Sequence, residues 1–176
     1  MKRKMHKILL DKEYYDCIKD LYNTDVVKQM DDYIQHGKTT TLDHSIRVSY
    51  TSYKIAKKLN LDYISVARAG LLHDLYLYDW HLNKEKTKFF EKHGYSHPKK
   101  ALENAKKHFN ISEVEEDIIV KHMWPLTLRS VPQYRESFLV SFVDKYKSCS
   151  ETVVPLLSKA SSYAVLFINV IVNLIK

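Results

Sequence analysis

The dipeptide His73-Asp74 ends an apolar run, Ala69-Gly70-Leu71-Leu72, with His44 upstream and His97, His122 and Asp144 downstream. Four neutral imidazoles and two carboxylates are a donor set that suits two divalent transition metals. Ions held that way activate water at neutral pH, and the usual outcome is cleavage of phosphate esters. An adjacent His and Asp among Leu71, Leu72 and Leu75 are expensive to bury unless a metal or a partner neutralises them. Asp144 stands in similar surroundings, after Phe138-Leu139-Val140 and Phe142-Val143 and before Tyr146, and needs a cation from Lys145, Lys147 or a metal. Each residue also has a plainer account. His73 with Asp74 reads as a satisfied core histidine beside a cap, His97 as a helix cap, and His122 as a helix-end histidine favoured by the dipole.

Candidates for substrate contact follow from charge and position. Arg47 lies one turn beyond His44 (i, i+3), which puts a guanidinium fork over whatever His44 binds. It is one of only five arginines, and its plainer role is an ion pair with Asp43. Lys121 and Lys145 adjoin His122 and Asp144, where either would stabilise charge on phosphoryl oxygens. Asp74 and Asp79 are the candidate catalytic acids, Asp79 as a proton donor or as the partner of a ligand histidine. A helix-terminal carboxylate is the ordinary alternative for Asp79. Tyr76, Tyr78 and Trp80 offer stacking faces or simple packing. His6, His36, His81, His93 and His108 have polar neighbours and read as surface.

Helices must bring these residues together. Ile8, Leu9, Tyr14, Tyr15, Ile18 and Leu21 keep helical spacing between His6 and Asn23. Thr24 or Asp25 caps a second helix ending at His36, with Gly37 as its stop. Thr39 to Thr41 cap a long helix through Leu59 that carries His44, and another from about Asp62 runs into His73-Asp74. Glu85 to Lys92 reads as a short helix. Ser96 or His97 opens the next, with Pro98 in a first turn where its missing N–H does no harm. Ser112 and Glu115 form a capping box for a helix ending near His122. Pro125 and Pro132 bracket a loop, and Ser137 to Lys147 is an apolar helix bearing Asp144. The expected fold is all-α, an irregular helical bundle, as one domain over residues 1–176.

Composition agrees. The 176 residues include only 3 Gly and 4 Pro, too few turn formers for a many-stranded sheet protein. Cys17 and Cys149 make neither a zinc motif nor a disulfide scaffold, which fits a cytoplasmic setting. The net charge of +7 is spread over helix-face lysines. That makes nucleic acid the less favoured partner and supports steering of small anions.

The pattern His44 … His73-Asp74 … Asp144 resembles the HD superfamily of metal-dependent phosphohydrolases, and His97 and His122 match the additional ligands of its dinuclear members. The likeness spans about residues 40 to 147 and rests on "LDHSIRV", "AGLLHDL" and "FVDKY". It implies that His44, His73, Asp74 and Asp144 hold one metal, with Asp74 bridging to a second on His97 and His122. It further implies metal-activated hydroxide attacking phosphorus in a phosphomonoester or phosphodiester, with a nucleotide the foremost small-metabolite substrate. One or two divalent ions from Fe, Mn, Zn, Co or Ni would serve. Many members carry Lys or Glu three residues after the pair, where this chain has Leu77. Two alternatives stay open: a di-iron oxygenase with the same ligands, and a non-catalytic nucleotide-binding or sensor protein.

From about Thr152 to Lys176 a last, apolar helix is expected. Its uncharged stretch, Ala160 to Ile175, falls short of the roughly 20 residues a bilayer span needs. Packing on the domain, a homodimer contact, or peripheral attachment to a membrane are its three readings.

Overall fold

The computed structural model describes residues 7–79, 93–153 and 157, with backbone alone at 36 and 93–95. It is all-α apart from one small hairpin. The expected helix from His6 to Asn23 is divided. After a helical turn at 7–9, Asp11 accepts a hydrogen bond from Tyr14 N (3.3 Å) and caps α1 (Lys12–Tyr22). That helix buries Tyr14, Ile18 and Leu21, an i, i+4, i+7 stripe.

The second expected helix is corrected more strongly. Thr24 precedes only one turn, α2 (Asp25–Lys28), which tightens into a 3-10 turn at Gln29–Asp32. The chain then forms β1 (Ile34–His36) and β2 (Thr39–Thr40), paired antiparallel with Ile34 opposite Thr40. Exposed Ile34 and buried Gln35 alternate as a strand does, and the threonines are β-branched. Gly37, at φ +59, is therefore a hairpin turn and not a helix stop.

The site is framed by α3 (Thr41–Lys58) and α4 (Tyr63–Leu72). Thr40 Oγ1 accepts from Asp43 N (3.2 Å), and Asp62 accepts from Ser65 N (3.0 Å). These caps satisfy donors that a helix start leaves over. Asn60, at φ +52, turns the short connection between them, a conformation Asn tolerates. Tyr14 Oη donates to Ser49 Oγ (2.8 Å), which donates to Ala67 O (2.6 Å), so one serine ties three helices together.

Gly70 lets α4 approach α3 closely, because a Cβ there would stand 2.8 Å from Ser49 Cα. Gly70→Ala is expected to destabilise the chain by about 2–3 kcal/mol, the usual penalty of an overpacked core. Thermal unfolding of the metal-free variant checks it; an unchanged midpoint would show that the helices separate at no cost.

The next helix, α5 (His93–His108), starts earlier than the sequence suggested. Pro98 lies inside it, so His97 is a residue within the helix rather than its cap or opening residue. Buried His97, Ala101 and Ala105 form one face, and Asn104 Nδ2 donates to Leu75 O (2.7 Å), pinning α5 to the segment after the pair. In α6 (Glu113–Lys121) the capping box is present, with Ser112 and Glu115 serving each other's backbone (2.8 and 3.2 Å). The last described helix, α7, covers 135–153 and is longer than expected.

Several expectations fall outside the described residues: the helix from Glu85 to Lys92, Trp80, His6 and His81, and nearly all of the segment from Thr152 onward, with its dimer and membrane readings. Among the described residues, no helix is long and apolar enough to cross a membrane.

Candidate metal centre

Three helix ends and two helix interiors supply the six side chains. His44 comes from the first turns of α3, and His73 caps the C-terminus of α4, with Asp74 next in the chain. His97 lies within α5, His122 caps the C-terminus of α6, and Asp144 lies within α7. All six are buried, none more than 4 % exposed. The structure thus brings together every predicted ligand.

Asp74 divides the cluster. Its Oδ2 lies 3.2 Å from His73 Nε2 and 3.9 Å from His44 Nε2. Asp144 Oδ1 completes that lobe, 3.0 Å from His44 Nε2 and 3.8 Å from His73 Nε2. The other oxygen, Oδ1, faces His97 Nε2 (3.3 Å) and His122 Nε2 (3.5 Å), which are 2.8 Å from each other. Donors bound at about 2.1 Å and right angles to one ion stand about 3 Å apart, so each lobe has the dimensions of a single coordination sphere. Donor atoms of His44, His73 and Asp144 lie within 4.8 Å of one another, and so do those of His73, Asp74 and His122, which puts His73 next to both lobes.

Tautomers support the same fit. His73 Nδ1 donates to Gly70 O and His122 Nδ1 to Ile119 O, both at 2.8 Å. A carbonyl only accepts, so each Nδ1 carries the proton and each Nε2 is left to face the cluster. His73 Nε2 and Asp74 Oδ1 are buried without hydrogen bonds, although acids and imidazoles surround them. Buried polar atoms seldom go unmet, and a cation in each lobe would satisfy one of them.

Charge is balanced within the cluster by protons. Burial lowers the pKa of His44, but hydrogen bonds to Asp144 and Glu151 outweigh it and push it up to about 9. His73 reaches about 10 against the same burial, through the Asp74 charge and Asp144. Burial opposes ionisation of Asp74 and Asp144, yet their histidine neighbours hold both carboxyls well below the usual range. His122 goes the other way, because burial and the adjacent His97 and His73 rings keep it neutral. Protons on two imidazoles thus occupy the role of cationic charge beside the two acids.

The proposed substrate residues take different positions. Lys145 Nζ donates to Asp144 Oδ2 (2.7 Å) and His122 O (3.0 Å), and its side chain is 34 % exposed, at the rim of the cluster. Arg47 pairs with Glu151 (3.3 Å) and Asp43 (3.8 Å) on the Nδ1 side of His44, behind the ring rather than over its Nε2. Lys121 pairs with Asp117 in a surface groove shared with Glu113 and Glu116. Asp79 is half-buried; the Tyr76 phenol is raised by burial and by the Asp74 charge, with Asp79 adding a smaller push. Between the pair and Asp79 the backbone turns at Leu77, whose φ of +54 is strained for a branched side chain. Tyr76 is buried and bonded to Thr41 rather than offered as a stacking face.

Two contributors were not anticipated. Glu151 Oε2 accepts from His44 Nδ1 (3.0 Å), and Gln35 Nε2 donates to Asp74 Oδ2 (2.7 Å).

A family model for the HD domain matches residues 41–148, well over half of the chain. The chain belongs to the HD domain family, a superfamily of metal-dependent hydrolases. Comparison with curated proteins and with solved structures gives no match. Gln35 and Glu151 both lie outside the matched span.

Proposed function

We propose that the chain is a metal-dependent phosphohydrolase, splitting a phosphomonoester or phosphodiester of a small metabolite, with a nucleotide as the first class to test. The observation that carries this reading is the Asp74 carboxylate, one oxygen directed to each of two imidazole-lined lobes. His44, His73, Asp144 and Asp74 Oδ2 would hold one divalent ion; Asp74 Oδ1, His97 and His122 a second. When bound, Fe, Mn, Zn, Co or Ni would acidify water and draw charge from phosphoryl oxygens.

The chain's own groups do the rest. Buried walls exclude bulk water from the donor atoms, and the Nδ1 anchors of His73 and His122 fix their rings in place. Lys145 sits where an anionic group arriving at the rim meets a cation. Arg47 stands behind the His44 ring and Lys121 in a groove with Glu113 and Glu116, whereas Lys145 is at the rim of the cluster, so we assign the first phosphate contact to Lys145. Asp79 is our candidate proton donor to the leaving group, on its position just past the pair.

The test is metal content of the purified chain, read with turnover of a panel of phosphomonoesters, phosphodiesters and nucleotides. About two ions per chain with phosphate release is the expected result. Bound iron with dioxygen consumption and no phosphate release would favour an oxygenase using the same ligands. Tight nucleotide binding without turnover would favour a sensor.

A further inference from the structure

We propose that Gln35, on β1, is a positioning residue that fixes the plane of the Asp74 carboxylate. Its side chain is buried and makes contacts at both ends of the amide. Nε2 donates to Asp74 Oδ2 (2.7 Å), while Oε1 accepts from Tyr76 Oη and lies 3.4 Å from Thr41 Oγ1. The carboxylate only accepts, so the amide NH2 must face it, and Oε1 is left to accept from the phenol. Tyr76 and Thr41 therefore hold the far end of the Gln35 amide in place, and Gln35 keeps Asp74 from turning.

The carboxylate has need of such a hold. Rotation about the last torsion of Asp is soft and roughly two-fold. In Asp74 one oxygen has this amide donor, whereas Oδ1 makes no hydrogen bond. Holding Oδ2 sets where Oδ1 points, which is between His97 and His122. A neutral donor does so without changing the charge of the cluster. Gln35 precedes the residues that match the family model, so its part comes from the hairpin this chain places against the pair.

The inference rests on the metal reading above, and its test separates the two. Gln35→Leu keeps the volume and removes the donor; Tyr76→Phe keeps Gln35 but removes the hydroxyl that anchors its Oε1. Affinity for Co(II) is measured by chelator competition, with the visible spectrum at saturating Co(II) as a readout of coordination. Gln35→Leu is expected to weaken binding roughly 10–100-fold, as loss of an outer partner does, and to alter the spectrum. Tyr76→Phe should lose less. The double variant should be no worse than Gln35→Leu alone, the non-additivity expected of two groups acting through one bond. Parental affinity and spectrum in Gln35→Leu, beside a parent that binds two ions, would overturn this inference alone. A parent that binds none would overturn both readings.

Discussion

Asp74→Asn is expected to leave the chain unable to hold two ions, and to lower hydrolysis by more than the roughly 10–100-fold typical of losing an outer partner. Asparagine keeps the shape but gives one lobe an amide NH2, which cannot donate electrons to a metal. Since Oδ2 faces His73 and His44 and Oδ1 faces His97 and His122, either orientation of the amide disables one lobe. The anion shared by both is lost as well. His122→Ala is the contrasting variant: it touches only the second lobe and should retain one ion. Metal analysis of the two variants beside the parent decides the matter. Two ions retained in Asp74→Asn would mean that Asp74 is not the bridge. A separate cost falls on the metal-free fold, because His73 would keep its proton beside one acid fewer. Removing one partner of a buried pair costs about 3–5 kcal/mol, so unfolding should be measured with and without metal.

The six cluster residues were legible because their types conflict with their surroundings. A His-Asp pair after Leu71-Leu72, and an Asp between Val140-Ser141-Phe142-Val143 and Lys145, ask for a cation whatever the fold. The helices that carry them showed 3.6-residue spacing and explicit caps, Thr40, Asp62 and Ser112 among them. What stayed hidden depends on distance along the chain. Gln35 meets Asp74 across 39 residues and Glu151 meets His44 across 107. No local period reports such pairings. The hairpin was misread as a helix because Gly37 serves equally as a helix stop or a strand turn. Ile34 and Gln35, alternating out and in, were the missed signal. Glu151 fell between an expected helix end at Lys147 and an expected start at Thr152, whereas α7 runs through both. Arg47 lies beside His44, as its spacing implies, but on the Nδ1 side rather than over the nitrogen that faces the cluster. Its partner Glu151 was not visible, so the guanidinium looked free for phosphate.

Metal binding should be steeply dependent on pH, with a sign that the histidines dictate. His44 and His73 hold their protons to about 9 and 10 in the metal-free chain, and both must release one from Nε2 to bind an ion. Each displaced proton changes affinity by about tenfold per pH unit. Affinity for the first ion should therefore rise on the order of 100-fold per unit between pH 6 and pH 8. Calorimetry in buffers of different ionisation enthalpy would count the protons; zero released would remove the basis for the argument. Stability of the metal-free chain should move the opposite way. The two raised histidines stabilise fully below the unfolded value of 6.5, and that contribution is lost as pH climbs through 9 to 10. The depressed Asp74 and Asp144 act above 3.8 and lose their contribution only as pH falls through their lower folded values. His122, depressed as well, costs stability as pH falls below 6.5, which offsets one of the two raised histidines there. From pH 7 to pH 9.5 the metal-free melting temperature should thus fall. With metal in excess it should hold or rise, since less of the binding energy goes to displacing protons. Two curves that diverge with rising pH are the signature of ions and protons competing for the same nitrogens; parallel curves would mean the metal binds elsewhere.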